Sequence, residues 1–186
     1  MTPTPAHEQT RILVQAAARV CEEKKGQNTR ILELDPVDSG LSDFFLVTSA
    51  INDRQAVAIA DEIELRLKRE FGVYANSVEG RRQGHWILLD YVDFVVHVFL
   101  EERRAFYDIE RLRKSARPLT PGEFDAELTS ALARKTRAAR QKQGVVAKTA
   151  PRKAAAARKT AAKKKPPARK APARKAPAKK SARRSR

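Results

Sequence analysis

The sequence predicts an α/β fold, a mixed central sheet flanked by helices and followed by a disordered basic tail, and three observations carry that prediction. Segments with apolar residues at helical spacing alternate with short strand-like runs, the pattern of a layered structure. Two runs, Trp86 to Leu89 and Phe94 to Leu100, are apolar at successive rather than alternate positions, as strands covered on both faces are. Beyond Val146 no apolar side chain is larger than Ala or Pro, so nothing there builds a core.

The elements follow in order. Residues 10 to 25 place Ile12, Leu13, Ala16, Ala17, Val20 and Cys21 at helical spacing, with Gly26 where a helix stops. A strand is expected around Ile31 to Leu34, a turn through Asp35-Pro36 and Ser39-Gly40, and a second strand from Phe44 to Thr48. Asn52 and Gln55, three apart, open a second helix whose stripe of Val57, Ile59, Ala60, Ile63, Leu67 and Phe71 ends at Gly72. Residues 73 to 79 read as a weak strand, and the two apolar runs supply the central pair, with helices above and below. A third helix, roughly 102 to 116, is expected to present Phe106, Ile109 and Leu112 to the sheet. Thr120-Pro121-Gly122-Glu123 opens a fourth, which turns basic from Arg134 and runs out near Gly144. This gives a domain over 1–117, a basic helix over 118–144 and a disordered Lys/Arg/Ala/Pro-rich tail over 145–186, where PPARK, APARK and APAKK recur as a loose repeat.

With 186 residues the chain has room for one domain with its own core and an appendage. The net charge of +17 is unevenly placed. Residues 1–120 carry 17 Lys+Arg against 19 Asp+Glu; the last 66 carry 22 against 3. The basic balance therefore describes the tail, and only the tail supports a charge argument for binding polyphosphate. Cys21 is the only cysteine, which excludes an intrachain disulfide and a cysteine metal site and fits a reducing compartment. MTPTPAHEQT has neither the basic start nor the apolar stretch of a signal peptide, and the longest apolar run, interrupted by His97, falls far short of the roughly 20 residues that span a bilayer. A cytoplasmic protein without membrane contact is expected.

Catalytic motifs are sparse. Asp90 and Asp93 suit a metal-binding or acid/base pair, and equally a turn tip, where Asp bonds its own backbone. His97 suits a general base or a structural residue within a sheet. No nucleophile motif or phosphate-cradling glycine loop occurs. GLSDFF, residues 40 to 45, is where a nucleotidyl-transfer site would begin, but the carboxylate that two-metal chemistry needs two residues after Asp43 is replaced by Phe45. Trp86 and Tyr91, by contrast, are of the types enriched at binding hot spots, although Trp86 also suits plain core filling.

SDFFLVTSA, DRQAVAIADEIE and GHWILLDYVDFVVHVFLEERRAFYDIERLR occur in that order, and over about residues 9 to 117 the chain resembles the ribosomal silencing factor (Iojap) family. The resemblance implies a non-catalytic protein, needing no cofactor, with a nucleotidyltransferase-like fold that lacks the working carboxylates. It implies binding to a protein of the large ribosomal subunit at the subunit-joining face, hindrance of small-subunit joining, repression of translation and self-association, commonly as a homodimer. Trp86, Asp90, Tyr91, Asp93 and His97 fall on the family's central motif, Arg54 and Asp61 on its helix motif, and Phe106, Tyr107 and Leu112 on its last helix. Trp86, Asp90, Tyr91 and Asp93 are the expected partner contacts. Family members usually have Gly where this chain has Val92, and a β-branched residue resists positive φ, so the turn is expected to be shaped differently here. The basic helix and the tail lie outside the resemblance; Lys163, Lys164, Lys165, Arg169, Lys170, Arg174 and Lys175 are the tail's candidate contacts with ribosomal RNA. Two alternatives stand beside this one: a nucleic-acid-compacting protein acting through the tail, and a nucleotidyltransferase-like enzyme using Asp43, Asp90 and Asp93 with Mg²⁺.

Overall fold

A computed structural model describes residues 4–35 and 42–148, with side chains as far as Arg140. The expected turn through Pro36 and Ser39-Gly40, and the tail residues Lys163, Lys164, Lys165, Arg169, Lys170, Arg174 and Lys175 with the expected disorder around them, lie outside the described residues.

The first helix, α1 (Pro5–Glu23), begins well before its apolar stripe, because Thr4 caps it by accepting from the His7 amide and Pro5 takes the first position, where no N–H is needed. It stops at Lys25, which enters the left-handed region at φ 60, one residue ahead of the glycine that the sequence suggests as the stop. β1 (Gln27–Glu33) and β2 (Phe44–Ala50) are each longer than expected and pair antiparallel. The second helix, α2 (Asp53–Phe71), has the expected ends: Asn52 accepts from the Gln55 amide at 2.8 Å, and Gly72 closes it at φ 68. Gln55 does more than cap. Its Oε1 accepts from the Ile51 amide at 2.8 Å and its Nε2 donates to the carbonyls of Lys24 and Lys25, tying the start of α2 to the end of α1.

Of residues 73–79 only Ser77–Glu79 forms a strand, β3, which pairs with β4 (Trp86–Asp90). β4 in turn pairs antiparallel with β5 (Phe94–Leu100), and β5 runs parallel to β2. The expected third helix is broken: α3 (Glu101–Tyr107) and α4 (Ile109–Leu112) are separated by Asp108 at φ 42, a conformation Asp tolerates better than most residues. β6 (Arg117–Leu119) then pairs with β1, and α5 (Pro121–Lys148) follows, continuing past Gly144. The sheet order is β3-β4-β5-β2-β1-β6, a mixed sheet with one parallel pair at its middle.

One face of this sheet is sealed by α1, α2 and the start of α5. Val14, Ala17, Ala18, Ile59, Ala60, Ile63 and Leu67 pack onto Phe44, Leu46, Ile87, Leu89, Phe94, Val96 and Val98. Phe124, fully buried, joins them with its ring 5.6 Å from that of Phe44, so residues beyond 117 belong to the same core. The opposite face holds only a small cluster of Leu32, Leu34, Val47 and Phe99, with Ile109 and Ala116 packed on it. Coverage of both faces, expected for both central runs, therefore holds for β5 and fails for β4. Ile87 and Leu89 are buried on the helix side of β4, whereas Trp86, Leu88 and Asp90 on the other side are only half-buried. Among the described residues no helix is long and apolar enough to cross a membrane.

Candidate docking surface

The uncovered side of β4 is set by where α3 and α4 reach. They are short and start directly after β5, so they lie over the Ser49–Phe99 end of the sheet, and no other helix among the described residues covers the Asp90 end. Arg104 pins them there: its guanidinium holds Glu110 with two bonds, at 2.7 and 3.0 Å, and donates to Ser49 Oγ at 3.0 Å. Further along, Arg113 lies over the ring of Phe45, 5.3 Å from its centroid. Two hollows result. One of about 330 Å³ is lined by Trp86, Leu88, Arg103 and Tyr107, and one of about 490 Å³ by Leu88, Asp90, Phe45, Val95 and Arg113; both share Glu79 and Leu88 and so form one trough.

Trp86 stands at one end of it. Its ring stacks on Phe99 with centroids 4.9 Å apart and an interplanar angle of 21°, and leans on Tyr107 at 4.8 Å. Its Nε1–H donates to His97 Nδ1 at 3.3 Å. His97 thus carries its own proton on Nε2, and burial, aided to a lesser degree by the charge of Arg113, pushes its pKa down to about 4. Behind Trp86 the chain returns through Gly80 at φ 73, where a Cβ would fall 1.8 Å from the Trp86 carbonyl oxygen; glycine is required there.

At the other end the β4–β5 turn is held by hydrogen bonds. Asp90 Oδ1 accepts from the Val92 amide at 2.8 Å, as a turn aspartate does. The Tyr91 amide donates to the Phe94 carbonyl, the Asp93 amide to the Tyr91 carbonyl, and the Asp43 amide to the Asp93 carbonyl. Val92 sits at φ 69: the β-branched residue does not avoid positive φ but adopts the left-handed conformation that glycine would take freely. Asp93 keeps its exposed place beside Asp43.

The four expected contact residues are thus not on one surface. Trp86 and Asp90 share the open face, about 13 Å apart along the strand at the usual rise, and Asp93 lies on the adjoining turn. Tyr91 points the other way. It is 7 % exposed, its ring stacks on Phe94 at 4.7 Å, and burial pushes its phenol up to about 12. The period of two along the strand puts it among the core residues. Among the described residues no group of three or more His, Cys, Asp or Glu is arranged to hold a metal ion, Asp43, Asp90 and Asp93 included.

The break at Asp108 also overturns the expected packing of the last helix. Ile109 reaches the sheet, but Phe106 is 76 % exposed and Leu112 70 % exposed. Periodicity read across an unbroken helix puts Phe106, Ile109 and Leu112 on one buried stripe; the left-handed residue turns Phe106 and Leu112 outward, and Tyr107 leans on Trp86. The outcome is a continuous apolar rim of Phe106, Tyr107 and Trp86 beside the trough.

The sheet thus has one sealed face and, on the other among the described residues, an aromatic rim leading into an open trough, exposed apolar surface of the kind found at interaction sites. The family described as "Ribosomal silencing factor during starvation" matches residues 6–170. The chain is 35 % identical over 100 residues to ribosomal silencing factor RsfS of Halalkalibacterium halodurans, covering 54 % of this chain and 84 % of that one. It is 33 % identical over 112 residues to RsfS of Bacillus subtilis, covering 60 % and 92 %. A crystal structure of a Chromobacterium violaceum protein superposes with a TM-score of 0.53 at 32 % identity, covering 59 % of this chain and 89 % of that one. The chain belongs to the ribosomal silencing factor family. The match runs well beyond the 9–117 on which the motifs fall, through the basic helix and into the tail as far as residue 170, so the expectation that these lie outside the family's pattern does not hold.

Proposed function

We propose that this protein binds the large ribosomal subunit through the open face of β4 and sterically blocks association with the small subunit, repressing translation in the cytoplasm. The observation that carries this is the half-buried Trp86, bordered by the exposed Phe106 and by Tyr107. Large aromatics at the edge of a trough are anchors of the kind that dominate interface energetics. Asp90 and Asp93 form the acidic end of the same surface, suited to a basic protein of the subunit-joining face. Tyr91 supports that end from beneath. Exclusion by bulk requires affinity and no bond chemistry, and an interface of about 1,600 Å² in total is sufficient. The tail, through Lys163, Lys164, Lys165, Arg169, Lys170, Arg174 and Lys175, adds a second attachment to ribosomal RNA, raising effective concentration without sequence specificity. In the free state the same apolar rim is available for homodimerisation.

The test is co-sedimentation of the protein with purified large and small subunits separately. Trp86→Ala should weaken large-subunit binding by about 30-fold, the equivalent of a 2 kcal/mol hot spot. Unchanged binding by Trp86→Ala removes the open face from the account. Retention by a free tail peptide as strong as that of the whole chain would favour the nucleic-acid-compacting alternative.

A further inference from the structure

We infer that His97 is a positioning residue for docking: its Nδ1 fixes which edge of the Trp86 indole is presented to the partner. The inference rests on the reading of the Trp86 face as the docking surface.

Three contacts define the indole's place. Two are aromatic surfaces, Phe99 beneath it at 4.9 Å and Tyr107 beside it at 4.8 Å. Stacking of this kind survives a half-turn of the indole about its last side-chain torsion, because that torsion has two broad wells and both leave a ring lying on a ring. The third contact is polar and lies on one edge only. Nε1–H meets His97 Nδ1 at 3.3 Å, and a half-turn would carry the donor away from its acceptor. The hydrogen bond therefore selects one of two otherwise similar orientations.

The placing of His97 argues that the acceptor is its purpose. It sits in the central strand β5 among Val95, Val96, Val98 and Phe99, facing Leu88 on one side and Val47 on the other. An aliphatic side chain would suit that setting without penalty. The imidazole instead leaves Nε2 buried with no hydrogen-bond partner among the described residues, a cost set beside ring contacts with Phe45 at 4.9 Å and Phe99 at 6.0 Å that need no acceptor nitrogen. Its burial keeps it neutral, so that Nδ1 retains the lone pair the indole needs. An anchor held in place before contact loses less conformational freedom on binding, and affinity rises accordingly.

Trp86 is the only tryptophan in the chain, so its fluorescence reports on it alone. In His97→Leu, with folding checked by circular dichroism, the fluorescence anisotropy should fall as the indole gains freedom. Co-sedimentation with large subunits should weaken about tenfold. His97→Asn, whose side-chain oxygen stands close to where Nδ1 does, should restore most of both. In a Trp86→Ala background His97→Leu should change binding no further. Wild-type anisotropy in both His97→Leu and His97→Asn overturns the inference, and so does a His97→Leu binding loss that persists in full without Trp86. If Trp86→Ala itself binds normally, the docking reading fails first, while the anisotropy arm still decides whether His97 orients the indole.

Discussion

At Val92 a single backbone angle sets a local cost. The residue stands at φ 69 with its side chain 58 % exposed, so it carries left-handed strain without compensating burial. For a β-branched residue that strain is about 1–2 kcal/mol, partly offset by the extra freedom glycine would have when unfolded. Val92→Gly should therefore stabilise the protein by roughly 0.5–1 kcal/mol, read as a higher urea midpoint at unchanged slope. A lower midpoint would mean that the valine side chain contributes packing that its exposure conceals. This site shows how far single residues were legible. That glycine is the natural occupant of the turn followed from its usual presence there, but the response of the chain did not. The bond from the Val92 amide to Asp90 is local, but those of Ser42 and Asp43 come from a segment distant in sequence, and together they hold valine where it would not settle alone. Trp86 was likewise visible as a hot-spot type, yet its half-exposure depends on where two short helices end, and no local pattern records that.

Among the elements, the attachment of α5 depends on charge as much as on Phe124. Its start is a reciprocal cap: Glu123 accepts from the Thr120 amide at 2.8 Å while Thr120 Oγ1 accepts from the Glu123 amide at 3.2 Å. One turn on, Glu127 takes two bonds from Arg117, at 2.7 and 2.9 Å, and one from Arg11 at 3.1 Å, and Arg117 also holds Glu33. The hydrogen bonds from Arg117 chiefly push the Glu127 carboxyl down to about 2. Because the folded value lies below the unfolded one, the stabilisation is complete above pH of about 4.5 and is lost as pH falls towards 2. Thermal unfolding of Glu127→Gln should thus show a deficit against wild type at pH 7 that closes over that acidic range. A deficit independent of pH would assign Glu127 a packing role instead. The cap of α5 was legible because its two partners, Thr120 and Glu123, stand three positions apart, as do Asn52 and Gln55 at the start of α2. The Arg117 cluster was not, since its members come from α1, β1, β6 and α5, and only the sheet order brings them together.

For the whole molecule the decisive property is the division of charge, near balance over residues 1–120 and 22 cations against 3 acids thereafter. The folded unit carries its own core, with the deepest side chains all between Leu13 and Leu128, so removal of residues 145–186 should leave it intact. Binding of the full chain to large subunits should weaken steeply with salt: with about six cations at phosphates, the logarithmic slope approaches −5. The shortened chain should retain specific binding with a much flatter slope. An identical slope in both would assign the salt-sensitive contacts to the folded unit. Fold class and the two long helices packed on the sheet, α1 and α2, were open to pattern reading because burial of a whole face dictates periodicity. The strand order was not, because β2 and β5 find each other across everything folded between them.

That central pairing constrains how the chain comes into being. Phe44 to Ala50 must wait for Phe94 to Leu100 before its second edge is satisfied, and β1 waits longer still for Leu119. Closing such distant partners is slow on entropic grounds. During synthesis β2 is therefore expected to lack its parallel neighbour until β5 has left the exit tunnel, so the sheet can close only after about the hundredth residue emerges.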